Sequence, residues 1–212
     1  MPMSAPVSII RSFSVPVMFA DKLISLAVLF SLGFSQLRAD ITMMSVYLFL
    51  FPYLIVTGRR HALIHLIAAS LVACCWFFIA REQYGYNREM LLMGGYTVYP
   101  LFAWAVGLFG VYLMFSYFVR LFANRSLAIK FLLFVLFYWM LLFGSEILAY
   151  HFFCFRNIAT ANYEGLPGLD CIHVPDWMKV AYLMNGPLYY VICELSGFPD
   201  PNVQVRRIAT DV

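Results

Sequence analysis

Charge is scarce in this chain. Asp, Glu, Lys and Arg make up only 12% of its 212 residues, against about a quarter in ordinary soluble domains. That is too little polar surface to coat a soluble domain of this length. The net charge is only +3 and no basic run is long, which excludes a nucleic-acid-binding surface. There is no G-x-S-x-G, no Walker loop, no dinucleotide fingerprint and no H-E-x-x-H, so the commonest hydrolase, nucleotide and zinc frames are missing. No internal repeat of the inverted kind seen in many secondary transporters is present. Helical segments with paired histidines at haem-ligating positions are also lacking. The first 16 residues contain no apolar run ending at a small-residue cleavage site, so the first hydrophobic helix is expected to act as its own insertion signal.

Apolar and aromatic residues fill the space that charge leaves. The chain is 63% apolar, with 21 Phe, 14 Tyr and 4 Trp. A membrane-spanning helix needs about 20 such residues in succession. Six windows meet that need, at 16–37, 41–57, 61–80, 96–119, 128–153 and 177–195. Their apolar runs are continuous and do not alternate as barrel strands do. The expected fold is all-α: a polytopic bundle of six transmembrane helices over residues 1–197, with a short polar tail over 198–212. Residues 38–40 join the first two helices as a tight hairpin. Met90–Met93 is an apolar candidate for an interfacial segment. Pro52 predicts a kink in the second helix. Asn185-Gly186-Pro187 predicts a bend or break in the sixth, because Pro187 cannot donate to the Leu183 carbonyl. In the fourth, Gly107 and Gly110 are candidates for close helix approach.

Lys and Arg near the helix ends set orientation. With a cytoplasmic N-terminus, nine lie inside: Arg11, Lys22, Arg59, Arg60, Arg120, Arg125, Lys130, Arg206 and Arg207. Five lie outside: Arg38, Arg81, Arg88, Arg156 and Lys179. Both termini are therefore expected in the cytoplasm, with the chain a multi-pass protein of a bacterial inner membrane.

This orientation puts the longest polar connection, between the fifth and sixth helices, on the outer face. It includes the stretch NYEGLPGLDCIHVPDW, residues 162–177. Gly165, Pro167 and Gly168 read as turn residues, and Asp176 as an N-cap for the last helix. Cys154 at the end of the fifth helix and Cys171 within the loop are a disulfide candidate pair, worth about 2–4 kcal/mol if formed. Cys74, Cys75 and Cys193 lie within apolar helices and read as packing residues.

Glu146 is the residue whose position most needs explaining, because a carboxyl group deep in an apolar helix is costly unless paired, protonated or wetted. Tyr150 lies one turn on, on the same face. His151 and His173 complete the set of groups able to assist acid–base chemistry there. Asp170, Cys171, His173, Asp176, Glu164 and His151 offer ligand types, but not at zinc spacings, and no metal is expected. His61 reads as a headgroup contact. His65 is expected to bond a Ser such as Ser35 or a backbone carbonyl. The fourth helix (Tyr96, Tyr99, Trp104, Tyr112, Tyr117) and the last (Tyr182, Asn185, Tyr189) hold aromatics that either pack or wall a cavity for a lipid, quinone or isoprenoid.

Three functions fit. The first is an accessory or structural subunit that packs against other membrane chains through its aromatic-rich helices. The second is a membrane-embedded enzyme acting on a lipid or isoprenoid at the outer leaflet, with Glu146 as acid or base and Tyr150, His151 or His173 beside it. The third, a small transporter or channel, is disfavoured by the lack of paired charges through the membrane. The sequence specifies no cofactor.

Overall fold

The computed structural model describes residues 7–12, 14–33 and 37–209. Six long helices follow one another: α1 (Val15–Gly33), α2 (Ala39–Val56), α3 (Leu63–Ala80), α4 (Tyr99–Phe118), α5 (Leu127–Ile147) and α6 (Asp176–Leu195). Their directions alternate, so the molecule has two ends. One end gathers the start of α1, the α2–α3 and α4–α5 turns and the residues after α6. The other carries the α1–α2, α3–α4 and α5–α6 connections. These are called the terminal end and the loop end.

Four helical stretches are long and apolar enough to cross a membrane: Ala39–Val56, Arg60–Gln83, Tyr99–Phe122 and Leu127–Phe152. The molecule is thus a helical protein of membrane character. α6 is more polar, because Asp176, Lys179, Asn185 and Glu194 interrupt it.

α4 is the axis of the bundle and touches all five other helices. Around it Leu54, Leu66, Phe109, Phe115, Phe134 and Tyr189 are almost wholly buried. Between helices in lipid the gain comes from dispersion and ring geometry more than from water release. Phe115 and Phe134 illustrate this, meeting edge to face at 5.1 Å and 86°, an arrangement that favours the ring quadrupoles.

The close approach expected at Gly107 and Gly110 occurs elsewhere. Nothing lies within 4 Å of where a Cβ would stand on either. Helix glycines that a Cβ would drive into a ring are Gly33, against Phe153, and Gly186, against Tyr138, and the Gly186 contact joins α6 to α5. That approach accompanies a second adjustment. α6 runs continuously through Pro187 instead of breaking. Pro187 leaves the Leu183 carbonyl without its helical donor, and Trp139 Nε1 donates to it at 3.0 Å. The Tyr138 hydroxyl donates to the neighbouring Tyr182 carbonyl. Two adjacent aromatic residues of α5 thus supply the hydrogen bonds that the proline disturbs, as a hydrocarbon setting requires.

Short strands supplement the helices. β1 (Val7–Ser12) pairs antiparallel with β4 (Gln204–Ala209), bringing the two ends of the chain side by side. β2 (Leu92–Met93) and β3 (Tyr96–Thr97) form a small hairpin with Leu91, Leu92 and Met93 exposed. The tail, expected as a separate polar segment, docks on the bundle through the residues just after α6. His65 Nε2 bonds the Pro199 carbonyl at 2.8 Å, and Asn202 is buried. His61 also bonds the tail, at the Asp200 carbonyl, 2.9 Å away.

Candidate functional site

α5 ends in a π-helical turn, Leu148–Phe152, directly after Ile147. Such wide turns concentrate where a side chain must be re-aimed. The connection that follows holds three non-glycine residues at positive φ: Cys154 at 49°, Asp170 at 45° and Ile172 at 57°. For a β-branched residue such as Ile172 this is a strained backbone, held only by its surroundings.

Two asparagines hold the loop down. The Asn87 amide donates to the Cys154 carbonyl at 2.7 Å and accepts from the Arg156 N–H at 2.9 Å. The Asn157 amide donates to the Gln83 carbonyl at 2.7 Å and accepts from the Gly85 N–H at 3.0 Å. Each amide acts as a substitute backbone unit and ties the α5–α6 loop to the α3–α4 connection. Neither asparagine stands out in the sequence.

The histidines do similar work. His151 Nε2 lies 3.1 Å from the Leu169 carbonyl, and His173 Nδ1 lies 2.9 Å from the Tyr163 carbonyl. Tyr150 stacks on the His173 ring at 4.9 Å and meets His151 edge-on at 5.0 Å. The Asp170 carboxylate is 3.4 Å from His173 Nε2 but makes no hydrogen bond to it. Tyr150, His151 and His173 therefore come together as struts between loop backbone and the end of α5. Among the described residues no hydrogen bond or ion pair joins them to Glu146.

Glu146 has its own surroundings. Leu142, Phe143, Ile147 and Tyr150, its neighbours on the helix, pack on a cluster containing Trp76, Tyr84, Cys171, Met178 and Tyr182. The carboxyl group shares that face. Tyr84, Tyr86, Tyr99, Tyr138, Tyr182 and Cys171 all lie close enough to feel its charge. Glu146 is nevertheless only half-buried. Behind it the Tyr84 hydroxyl accepts from both indole N–H groups, Trp76 at 2.7 Å and Trp104 at 3.2 Å.

Cys154 and Cys171 are both free thiols, so the candidate disulfide is not formed. Cys154 is exposed and Cys171 is fully buried. Burial, with Glu146 and Asp170 nearby, pushes the Cys171 thiol up to about 11. Asp176 is the first residue of α6, not its N-cap, and pairs with Lys179 at 3.0 Å. No group of three His, Cys, Asp or Glu side chains could hold a metal ion among the described residues.

The terminal end holds a feature that sequence reading missed. Asp21 and Arg59 form a buried, two-pronged ion pair, Nη1–Oδ2 at 2.8 Å and Nη2–Oδ1 at 2.9 Å. The Tyr53 and Tyr117 hydroxyls also donate to Asp21, at 2.8 and 2.7 Å. Arg59 Nε donates to Thr57 Oγ1 at 3.1 Å, and Nη1 reaches Asn202 Oδ1 at 3.3 Å. One cluster thus joins α1, α2, α4, the α2–α3 turn and the tail. The available signal was Asp21 itself, a carboxylate inside an apolar window, but spacing alone does not name its partner.

Comparison with protein families, curated proteins and solved structures finds no match to this chain.

Proposed function

We propose that this chain is an accessory or structural subunit of a larger membrane assembly, crossing a bacterial inner membrane six times with both termini in the cytoplasm. The observation that carries this reading is how the polar side chains of the loop end are used. His151, His173, Asn87 and Asn157 are all spent on backbone groups of the loop. A rigid outer cap suits a docking component better than a turnover site. The apolar stripe Trp177, Val180, Met184, Leu188, Val191 and Leu195 along α6 is exposed, which supports counting α6 as a crossing despite its polar residues. The paired chain ends support an even number of crossings. Phe19, Leu23, Leu26 and Phe30 give α1 a similar outward face for lipid or for neighbouring chains.

The second reading is an enzyme acting on a lipid or isoprenoid at the outer leaflet, with Glu146 as acid or base. It is favoured by one observation, the strained loop and π-helical turn beside an accessible carboxyl group.

Native electrophoresis of the tagged chain from its own membrane, with cysteine labelling from each side, tests the proposal. A heteromeric complex of fixed composition is expected, with Glu164→Cys labelled only from outside and Asn124→Cys only from inside. A stable chain found alone, or labelling with the reverse sidedness, overturns it.

A further inference from the structure

We propose that the α4–α5 turn binds a phosphate group, presented by the headgroup of an anionic phospholipid, in a cavity lined by Arg120 and Arg125. The turn lies at the terminal end. It joins two stretches long and apolar enough to cross a membrane, Tyr99–Phe122 and Leu127–Phe152. It therefore stands at a membrane face whichever way the chain crosses, and the site does not depend on the subunit reading.

The turn borders a defined space. After α4 the chain tightens into a 3₁₀ turn, Val119–Phe122. The Ala123 and Arg125 N–H groups then bond the Arg120 and Phe122 carbonyls at 3.3 and 3.0 Å. The cavity beside these closures holds about 330 Å³ and is lined by residues 120–125. Small-molecule sites span roughly 300–1,000 Å³.

Charge at the turn selects an anion. Residues 90–145 contain no Asp or Glu, so nothing in α4, the turn or α5 before Glu146 offsets Arg120, Arg125 and Lys130. Asp200 of the tail pairs with Arg120 at 2.7 Å and holds that guanidinium at the cavity wall. Arg125 is exposed. Among the described residues, neither its side chain nor that of Lys130 makes a hydrogen bond or an ion pair. Lys130 stands one helical turn past Ser126, whose carbonyl accepts from its N–H at 3.1 Å. Three cations at this turn thus meet one carboxylate. The start of α5 adds to the field, since Ser126 caps it directly after the cavity, accepting from the Ile129 N–H at 3.4 Å, and a helix N-terminus is its positive end. Arginine forks match the oxygens of a phosphate group.

The flanks of the cavity select a lipid. Leu121, in its wall, is 78% exposed, and Leu127, just beyond it, is 55% exposed. A free ion gains nothing from them. A phospholipid sets its phosphate among the cations and its acyl chains against the leucines, as basic sites at the ends of membrane helices do with anionic headgroups. The surplus of positive charge favours phosphatidylglycerol over phosphatidylcholine, whose own ammonium group meets the arginines as a like charge.

The same phosphate chemistry can come from solution, and the test separates the sources. The purified full chain in a maltoside micelle is titrated with phosphatidylglycerol or phosphatidylcholine, and bound lipid is counted by native mass spectrometry. Arg125→Gln removes an exposed side chain that bonds nothing, so the fold is kept. Arg60→Gln removes an exposed cation at the same end but outside the cavity. Phosphatidylglycerol should bind about tenfold tighter than phosphatidylcholine, and Arg125→Gln should weaken it about tenfold, as loss of a charge-assisted hydrogen bond does. Arg60→Gln should leave it nearly unchanged. Equal affinity for the two lipids overturns the proposal on the unaltered protein. Equal weakening by the two variants overturns it too, because diffuse surface charge would then suffice. Thermal unfolding followed by tryptophan fluorescence compares sodium phosphate with sodium chloride at equal ionic strength. No difference is expected for a headgroup site, whereas a phosphate-specific rise in midpoint, lost in Arg125→Gln, assigns the cavity to the free ion instead of the lipid.

Discussion

Removing either member of the Asp21–Arg59 pair should destabilise this protein more than almost any other single polar substitution. The side chains are 2% and 0% exposed, so neither charge can turn to water when its partner is lost. Breaking such a pair costs about 3–5 kcal/mol, because a charge is left buried and uncompensated. The two halves should not be equal. Arg59→Met leaves Asp21 with two phenolic donors, Tyr53 and Tyr117, and belongs near the lower figure. Asp21→Ala leaves a guanidinium with only Thr57 and a 3.3 Å contact to Asn202, and belongs near the upper one. At 1.4 kcal/mol per tenfold, the folded-to-unfolded ratio falls by roughly 10²- to 10⁴-fold. The double variant strands no charge, so its loss should be smaller than the summed losses by about 0.5–3 kcal/mol, the range for contacting residues. Equilibrium unfolding in mixed micelles of rising dodecyl sulfate content, followed by tryptophan fluorescence, measures all three. Unchanged midpoints in the single variants, or strict additivity in the double, would refute the reasoning.

Two other outcomes follow from the geometry. Trp139→Phe should cost about 1–3 kcal/mol by leaving the Leu183 carbonyl unpaired, and much less in a Pro187→Ala background, where the helix regains its own donor. The same micelle unfolding checks it, and an equal cost in both backgrounds would show that the indole does not serve the proline. At pH 8 an aqueous maleimide should modify Cys154 and spare Cys171. Cys171 is fully buried and its thiol is pushed up to about 11, so only about one molecule in a thousand carries the thiolate. Peptide mass spectrometry reads the result, and equal modification of both before unfolding would contradict the burial.

The parts of the fold that composition governs were legible. Continuous apolar runs marked the six long helices to within a few residues, and four of those stretches are long and apolar enough to cross a membrane, where a helix must satisfy its own backbone and cover itself in apolar side chains. The details set by single contacts were not. Gly107 and Gly110 looked like packing glycines, yet Gly33 and Gly186 are the ones pressed against rings, of Phe153 and Tyr138. The difference depends on helix rotation, which periodicity cannot fix when every face is apolar. The proline in α6 was visible, but not its consequence. Whether Pro187 bends a helix or is accommodated depends on a donor from another helix, and Trp139 is 48 positions away in the chain.

The same reasoning explains why Glu146 was noticed and Asp21 was not. Both are carboxyl groups within apolar segments, where desolvating a charge is costly. Glu146 lies far from any Lys or Arg in sequence, so its isolation shows. Asp21 is followed by Lys22 near the start of a window, where a charged pair reads as the ordinary polar edge of a membrane helix. Its true partner is Arg59, 38 residues on, which sequence counting assigns to the general excess of cytoplasmic charge. The guanidinium is instead consumed in the bundle. Arg59 therefore acts less as a topological signal than as a clasp, and it does so with the tail, through Asn202, in its grip. If α1 inserts before the α2–α3 turn is made, Asp21 has no charged partner until Arg59 follows. The N-terminal helix and the C-terminal tail are then stabilised by one cluster that is complete only when the whole chain has been assembled.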